Sequence, residues 1–516
     1  MIASGRFPQF PRSRSPEELD AFEALQRQLS SMYRRVRNDD RAENTVLVVP
    51  SLSLDPRELS KVSGVHHYEE RLLYMLMLLR RPRTRLIFVT SQRISSTVID
   101  YYLNQIAGVP AGHARRRLML FDCADASPVP LSAKILGRPR LMKRLRAAIG
   151  DTSRAHIDVF NSTHLERTLA VRLGIPLYAN NPKLNDLGTK SGCREIFREA
   201  GVSFPFGFER LTGEDDIVES LLELWGRNKD IRRAVVKLND GFSGEGNALF
   251  YYNQVDARVA HDARKQIRES LPQLEPVAMQ ETWPTFLQKF EDMHGIVEEF
   301  VEGKDKMSPS SQCRVTAVGT PVPISTHDQV LNGQVFLGCT FPAAPVYRME
   351  IQEAGMAVAR VLADRGVVGR FATDFVSVPD GEGGFTHYAI EVNLRKGGTT
   401  HPFSTLRFIT DGEYQPDTGE FMTPAGRPKS YFASDTLQSS RYRGLMPVDL
   451  IDIMVYHDLH FHPATERGTV FHLMGALSEF GKLGMVCIGD NLQQAQFLYK
   501  KVKGVLNQEV AEHPLE

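Results

Sequence analysis

The sequence predicts a multidomain protein in which an α/β domain with parallel strands precedes α+β domains with antiparallel strands. Its 516 residues correspond to about three domains of roughly 150 residues each. Apolar runs alternate with helical patterns between residues 45 and 180, and longer strands with polar–apolar alternation follow. The predicted divisions are an N-terminal extension with a helix (1–44), the α/β domain (45–180), a central domain (181–430) and a small α+β domain (431–516).

Composition excludes several classes of protein. Lys plus Arg and Asp plus Glu both number 62, so the formal net charge is zero and no global field attracts nucleic acid or an anionic membrane. The longest apolar run, residues 72–79, is far shorter than the roughly 18 residues of a membrane span. The five cysteines form no CxxC pair and the N-terminus has no signal-peptide core, so we expect a cytoplasmic protein without a disulfide framework.

The first 180 residues contain the signals of a helix and then of a Rossmann-like sheet. A capping box at residues 15–18 predicts a helix that runs to about Arg37. Strands are predicted at 45–50, 85–90, 117–121, 156–160 and 176–179, with helices at 68–79, 95–106, 133–148 and 163–173. No GxGxxG motif follows the first strand, so a dinucleotide site is not supported.

A glycine-rich segment in the central domain is a candidate phosphate cover. Lys237 ends a predicted strand, and Gly241, Gly244 and Gly246 follow it closely. Backbone N–H groups of such a hairpin can close on phosphate while the lysine supplies positive charge. The lysine precedes the glycines, so the P-loop pattern fails, and a plain glycine-rich hairpin with an exposed lysine is the alternative.

A later strand carries candidate metal ligands. Alternation along residues 390–395 places Glu391, Asn393 and Arg395 on one face, and Asp374 lies on the strand before it. Carboxylate and amide oxygens suit Mg²⁺, which also binds nucleotide phosphates. The alternative is a strand with a solvated polar face.

The last segment, from about residue 431, predicts a strand near 448–456, another near 469–474 and a helix over 493–506. Its histidines 457, 460, 462 and 472 fit ordinary side chains better than a zinc site, because no cysteine accompanies them.

The order of these parts resembles the ATP-grasp superfamily. A lysine opens the helix before G-V-x-x-P, a second lysine precedes the glycine loop, E-E-F-V-x-G follows at 298–303, and E-x-N-x-R comes last. The resemblance implies ATP and Mg²⁺ as cofactors, with Mn²⁺ as an alternative ion. The residues that it implies in nucleotide binding are Lys190, Lys237, Gly241, Ser243, Gly244, Gly246, Glu298 (adenine amino group), Phe300 and Val301 (base edge, through the backbone) and Asp305 (ribose).

The same resemblance implies roles at the reacting end. Asp374, Glu391 and Asn393 would hold the metal, and Arg395 would contact the reacting carboxylate or acylphosphate. His401 or Glu391 would act as a base. Many D-alanine ligase relatives have an arginine where this chain has Ala372, which leaves a phosphate role for Arg370 or Arg348 open.

Within the superfamily the chain resembles the pheganomycin-type peptide ligases, through the run N-L-R-K-G-G-T-T-H-P at 393–402 and the order of domains. That implies a Rossmann-like pre-ATP-grasp domain, an ATP-grasp fold with two α+β lobes and a small C-terminal α+β domain. The implied activity joins a small carboxylic acid to an amino-acid or peptide amine through an acylphosphate. A non-catalytic regulatory or scaffold protein and a carboxylate kinase are the alternatives, and a homodimer is left open.

Overall fold

The computed structural model describes residues 15–241, 246–255, 262–278, 281–332 and 335–512. The α-helices are α1 Pro16–Gln26, α2 Leu29–Asn38, α3 Pro56–Ser60, α4 Ser96–Asn104, α5 Ala111–Arg115, α6 Leu131–Leu136, α7 Pro139–Ile149, α8 His164–Leu173, α9 Lys190–Ala200, α10 Glu214–Arg227, α11 Ala263–Ser270, α12 Trp283–Met293, α13 Arg348–Asp364, α14 Thr400–Thr410, α15 Pro447–Tyr456, α16 Ala476–Phe480 and α17 Leu492–Glu512. The strands are β1 Asn44–Val49, β2 Thr84–Thr90, β3 Leu118–Asp122, β4 Ala155–Val159, β5 Gly207–Leu211, β6 Arg233–Leu238, β7 Asn247–Tyr251, β8 Glu275–Pro276, β9 Gly295–Glu299, β10 Pro309–Val315, β11 Pro321–Asn332, β12 Val335–Phe341, β13 Gly369–Pro379, β14 Phe385–Asn393, β15 Glu413–Gln415, β16 Glu420–Met422, β17 Ser430–Gln438, β18 Gly468–His472 and β19 Lys482–Gly489.

The Rossmann-like part is a parallel sheet in the order β3-β2-β1-β4. The predicted strand at 176–179 is wrong, because only one bridge, Ile157 to Leu177, joins that segment to β4. The predicted first helix is divided into α1 and α2, and the predicted helix at 68–79 is a 3₁₀ helix, Val65–Arg80. That helix is buried over most of its length, so tertiary packing rather than helix propensity determines its form.

A buried carboxyl group in this 3₁₀ helix predicts a pH-dependent stability. Glu69 accepts hydrogen bonds of 2.6 Å from both the N–H and the hydroxyl of Ser91. Burial raises the pKa of Glu69 to about 7 against the opposing effect of those bonds. Because the folded protein then holds a proton that the unfolded chain releases, the free energy of unfolding falls as pH rises from about 4.5 to about 7, by roughly 1.4 kcal/mol per pKa unit.

Urea denaturation at pH 5 and pH 8 measures this contribution. The wild type should have a lower free energy of unfolding at pH 8 than at pH 5. In Glu69→Gln we expect this decrease to be smaller by about 3 kcal/mol. The control is Glu58→Gln, which changes a carboxylate paired with Lys61 at the surface. Equal pH dependence in the wild type and Glu69→Gln would contradict the prediction.

Two antiparallel sheets form the central part of the chain. A sheet in the order β5-β9-β6-β7-β8 packs against α10, α11 and α12 through one apolar cluster. A second sheet runs β14-β13-β10-β11-β12-β17-β19-β18 and packs against α9 and α13 at its β13–β14 end. The predicted fold class, a parallel α/β part followed by antiparallel α+β parts, is confirmed.

The C-terminal strands β17, β19 and β18 continue the second sheet. The predicted strand at 448–456 is wrong, because that segment is α15. Pro447 stands in its first turn, and the buried Leu450 and Met454 are four residues apart, which is a helical and not a strand spacing. None of the described helices combines the length and the apolar character that a membrane crossing requires.

Candidate active site

Strands β13 and β14 bring the three predicted metal residues together. Asp374 lies directly opposite Glu391, and Asn393 Nδ2 donates to Asp374 Oδ2 at 2.8 Å. Burial and the nearby charge of Glu391 raise the pKa of Asp374 to about 6. Two carboxylates that face each other across strands repel, and a divalent cation with a preference for oxygen ligands removes that repulsion. The donor set therefore fits Mg²⁺.

Lys190 reaches the same carboxylates from the start of α9. Its Nζ lies 2.6 Å from Glu391 Oε1, and Thr189 caps the helix by accepting from the Gly192 N–H at 3.1 Å. A Cβ at Gly192 would collide with the Asp186 carbonyl, so glycine is needed for the close packing that places the lysine. Burial favours a neutral Glu391, but the charge and hydrogen bond of Lys190, together with the charges of Arg395 and Lys237, outweigh it and lower the pKa of Glu391.

Lys237 and Glu298 form a buried ion pair on the other sheet. Lys237 Nζ lies 2.5 Å from Glu298 Oε1, and Arg194 Nη1 lies 2.9 Å from Oε2. The register explains the pair, because Val235 is opposite Glu298 and Lys237 is its diagonal neighbour. Glu298 is the residue predicted to face an adenine amino group, and both of its carboxylate oxygens are bound to cations. The Lys237 ammonium group is directed at Glu298.

The residues after β9 include the predicted contacts to the base edge and the ribose. The Phe300 N–H donates to the Arg233 carbonyl at 3.2 Å, and the Val301 carbonyl accepts from Lys306 Nζ at 2.9 Å. These backbone groups are therefore occupied by protein partners here, whereas the prediction assigns them to a base edge. Asp305 is exposed and has a φ of 55°.

The glycine-rich segment connects β6 and β7, which pair in antiparallel fashion, and only its ends at Gly241 and Gly246 lie within the described residues. The Leu238 N–H donates to the Gly246 carbonyl at 2.9 Å, and a Cβ at Gly241 would lie 3.2 Å from the Gly246 Cα. Ser243 and Gly244 lie outside the described residues, so their predicted role stays a prediction.

Arg395 and His401 lie in different environments. Arg395 is half-buried, its Nη1 donates to the Lys396 carbonyl at 3.3 Å, and burial lowers its pKa while the charges of Glu391 and Asp374 oppose that shift. His401 is 3% exposed on α14, and its Nε2 faces Asp435 and His472. The predicted base is therefore engaged with side chains outside the metal group.

The structure adds an arginine cluster that the sequence analysis did not recognise as a unit: Arg314, Arg370 and Arg407. Arg314 on β10 and Arg370 on β13 are directly opposite, and burial together with these two charges lowers the pKa of Arg407 on α14. Within the described residues none of the three guanidinium groups has an ion-pair or hydrogen-bond partner, and Arg314 Nε and Arg370 Nη1 are buried. The sequence signal that could have drawn attention to Arg370 was its spacing from Asp374, which places both residues on one face of β13.

Arg348, the other arginine for which a phosphate role was left open, is paired with Glu420 at 2.9 Å.

Comparisons with known proteins agree with the predicted resemblance. The model of the family described as "IQCH-like, ATP-grasp" matches residues 182–274 and 259–416, which include both lysines and the three predicted metal residues. This match lies in the part of the chain where the sequence resembles the ATP-grasp superfamily. A second family model, "PGM1 C-terminal domain", matches residues 449–502.

Two curated relatives and one solved structure are similar over most of the chain. The L-propargylglycine–L-glutamate ligase of Streptantibioticus cattleyicolor is 28% identical over 90% of this chain and 94% of its own length. The IQ motif-containing protein H of Danio rerio is 22% identical over 96% of this chain, which spans about half (51%) of that protein. A biotin carboxylase–β,γ-ATP complex from Campylobacter jejuni shares the fold, with a TM-score of 0.54, 12% identity and coverage of 91% and 96% of the two chains.

Proposed function

We propose that this protein is an ATP-dependent carboxylate–amine ligase that releases ADP and phosphate. The observation that carries the proposal is the joint placement of Asp374, Glu391 and Asn393 beside Lys190. Phosphoryl transfer needs cations and positioning more than a protein nucleophile, and this group provides both. The similar ligase of Streptantibioticus cattleyicolor supports amide formation as the outcome.

The acidic and basic residues of the proposed site have different roles. Asp374, Glu391 and Asn393 would hold Mg²⁺, with Mn²⁺ as an alternative, and that ion would supply positive charge against the phosphates. Lys190, whose Nζ now pairs with Glu391, would supply a second positive charge to the phosphates. Arg395 orients the substrate carboxylate, whose oxygen attacks the γ-phosphorus while ADP leaves. The amine then attacks the acyl carbon, phosphate leaves, and a proton is lost from the nitrogen.

The facing sheet binds the nucleotide in this proposal. Lys237 moves from Glu298 to the phosphates, which frees one Glu298 oxygen for the adenine amino group. Phe300 and Val301 supply the base edge contacts, and Asp305 supplies the ribose contact. The glycine-rich segment that includes Gly241 and Gly246 covers the phosphates and excludes water from the acylphosphate.

The arginine cluster suggests which substrates fit. Arg370 is four residues from Asp374, about 13 Å along the strand at roughly 3.3 Å per residue. Unpaired guanidinium groups at that distance suit a carboxylate at the far end of an amino acid or peptide substrate. The name of the similar ligase, which includes L-glutamate, is consistent with an acidic substrate.

ADP and phosphate release with Mg·ATP, in the presence of pooled carboxylic acids and pooled amino acids, tests the activity. Release that requires both pools supports the ligase. Release with the acid pool alone, with trapping of an acyl group by hydroxylamine, would identify a carboxylate kinase. Tight ATP binding without turnover in any pool would favour a regulatory protein.

Arg370→Gln tests the substrate assignment. We expect the KM for an acidic substrate to rise by about tenfold or more, since a charged hydrogen bond is worth about 1.5–3 kcal/mol, while the KM for ATP stays unchanged. The variant should also be as stable as the wild type or more stable, because it removes a like-charge pair across strands. Arg365→Gln, which changes a surface arginine paired with Glu199, is the control. An unchanged substrate KM in Arg370→Gln would refute the assignment.

A further inference from the structure

A cluster of two histidines and one aspartate lies outside the site described above. His401 is on α14, Asp435 on β17, and His472 is the last residue of β18. The His401 Nε2 lies 3.0 Å from both His472 Nε2 and Asp435 Oδ1, and His472 Nε2 lies 2.6 Å from the same Oδ1. The three side chains are buried, with exposed fractions of 3%, 7% and 3%.

Protons alone leave a repulsive contact in this triangle. An imidazole nitrogen carries either one proton or one lone pair in the ring plane. If both Nε2 atoms are protonated, Asp435 Oδ1 can accept both N–H groups, but the two hydrogens then face each other across the 3.0 Å between the nitrogens. If either nitrogen is unprotonated, its lone pair faces the lone pairs of the carboxylate oxygen. A metal ion at the centre accepts a lone pair from each of the three atoms and removes the conflict.

The surroundings hold the three donor atoms in place. The other carboxylate oxygen, Asp435 Oδ2, accepts from Arg71 Nη1 at 3.2 Å, which favours the ionised form and leaves Oδ1 as a single ligand atom. His472 is opposite Gly484 on β19, and a Cβ at that glycine would collide with Nε2. The backbone of β19 therefore provides the space in which the His472 ring lies.

We propose that His401, Asp435 and His472 bind one divalent transition-metal ion, and that this ion is Zn²⁺. Two imidazole nitrogens and one carboxylate oxygen are a common zinc ligand set. Ligands about 2.0–2.1 Å from a tetrahedral ion are roughly 3.3 Å apart, so binding needs only a small expansion of the triangle. Among the described residues no fourth His, Cys, Asp or Glu joins the group, so water, hydroxide or an anion completes the coordination.

The ion would have a structural effect that the proposed ligase reaction does not require. It would connect α14, which follows the E-x-N-x-R strand, to β17 and β18 at the far end of the long sheet. With neutral imidazoles, the ion, Asp435 and Arg71 carry a net charge of +2, and an anionic fourth ligand reduces it. The separation of the ligands by 34 and 37 residues explains why no motif reveals the site.

Metal analysis of the full-length protein tests the proposal without an activity assay. Protein reconstituted with Zn²⁺ and then passed over a desalting column should contain about one zinc per chain by mass spectrometry. The cobalt-substituted protein should show visible ligand-field absorption of a four-coordinate ion. A wild type that retains no metal would overturn the proposal and leave a hydrogen-bonded triad only. Retention of iron instead of zinc would support the site and overturn the choice of ion.

Variants then locate the ion. His472→Gln should lose the metal, and Gly484→Ala should lose it by displacing the ring without removing a ligand atom. His457→Gln, which changes a histidine paired with Glu509, is the matched control and should keep it. Glu391→Gln should also keep it, which separates this ion from the proposed Mg²⁺ site. Full zinc content in correctly folded His472→Gln would contradict the assignment.

Discussion

The Glu391→Gln protein is expected to release ADP at least 10²- to 10³-fold more slowly than the wild type, which is about the effect of removing one preorganised charged group from a reaction centre. Glu391 is opposite Asp374 and forms an ion pair of 2.6 Å with Lys190. The substitution removes a metal ligand and also the partner that positions the lysine. Both losses act on the charge that stabilises phosphoryl transfer.

The measurement is steady-state ADP release together with Mg²⁺ dependence. We expect the Mg²⁺ concentration for half-maximal rate to increase as well, because an amide is a weaker ligand than a carboxylate. Glu382→Gln is the control, since Glu382 lies at the exposed turn between β13 and β14. Turnover of Glu391→Gln within a few-fold of the wild type would show that Glu391 is not a metal ligand in the reaction.

A second readout distinguishes an electrostatic effect from misfolding. Burial and the Glu391 charge raise the pKa of Asp374 to about 6. Removal of that charge should lower the pKa of Asp374, and carboxyl NMR measures the change. An inactive variant in which the Asp374 pKa has moved downward is folded and has lost only the charge.

The part of the site that depends on local periodicity could be predicted from the sequence. Strand alternation is enough to place Glu391 and Asn393 on one face, and the K-S-G pattern at the start of α9 is enough to place Lys190 at a helix N-terminus. The parallel character of the first sheet and the antiparallel pairing of the later strands followed from the same kind of pattern.

The remaining contacts depend on register and on long-range packing. Glu298 is 61 residues from Lys237, and only the pairing of β6 with β9 makes them diagonal neighbours. The arginine cluster requires β10, β13 and α14 to meet. The segment at 448–456 was misassigned because its apolar residues fit both a buried strand and a helix, and the packing of Leu450 and Met454 decides between them.

Loss of a buried ion pair between the Rossmann-like part and the ATP-grasp part should have the largest effect on stability. Lys396 Nζ lies 2.5 Å from Asp158 Oδ1, and the two side chains are only 9% and 10% exposed. Lys396 Nζ also donates to the Val159 carbonyl. In Lys396→Met the Asp158 carboxylate stays buried without its ion-pair partner, and we expect the free energy of unfolding to fall by about 3–5 kcal/mol.

Urea denaturation and thermal melting of three variants separate the pair from its surroundings. Lys183→Met breaks an exposed ion pair in which the side chains of Lys183 and Glu23 are 59% and 39% exposed. This change should lower the free energy of unfolding by less than about 1 kcal/mol. The double variant Lys396→Met/Asp158→Leu should recover most of the lost free energy of unfolding, because no uncompensated charge then remains at Asp158.

If Lys396→Met is no less stable than Lys183→Met, the interface does not depend on this pair. If the double variant is as unstable as Lys396→Met, the lost contacts and not the unpaired charge cause the effect. The expected order of stability, with Lys396→Met as the least stable variant, therefore tests whether charge compensation at Asp158 holds the two parts together beside Arg395.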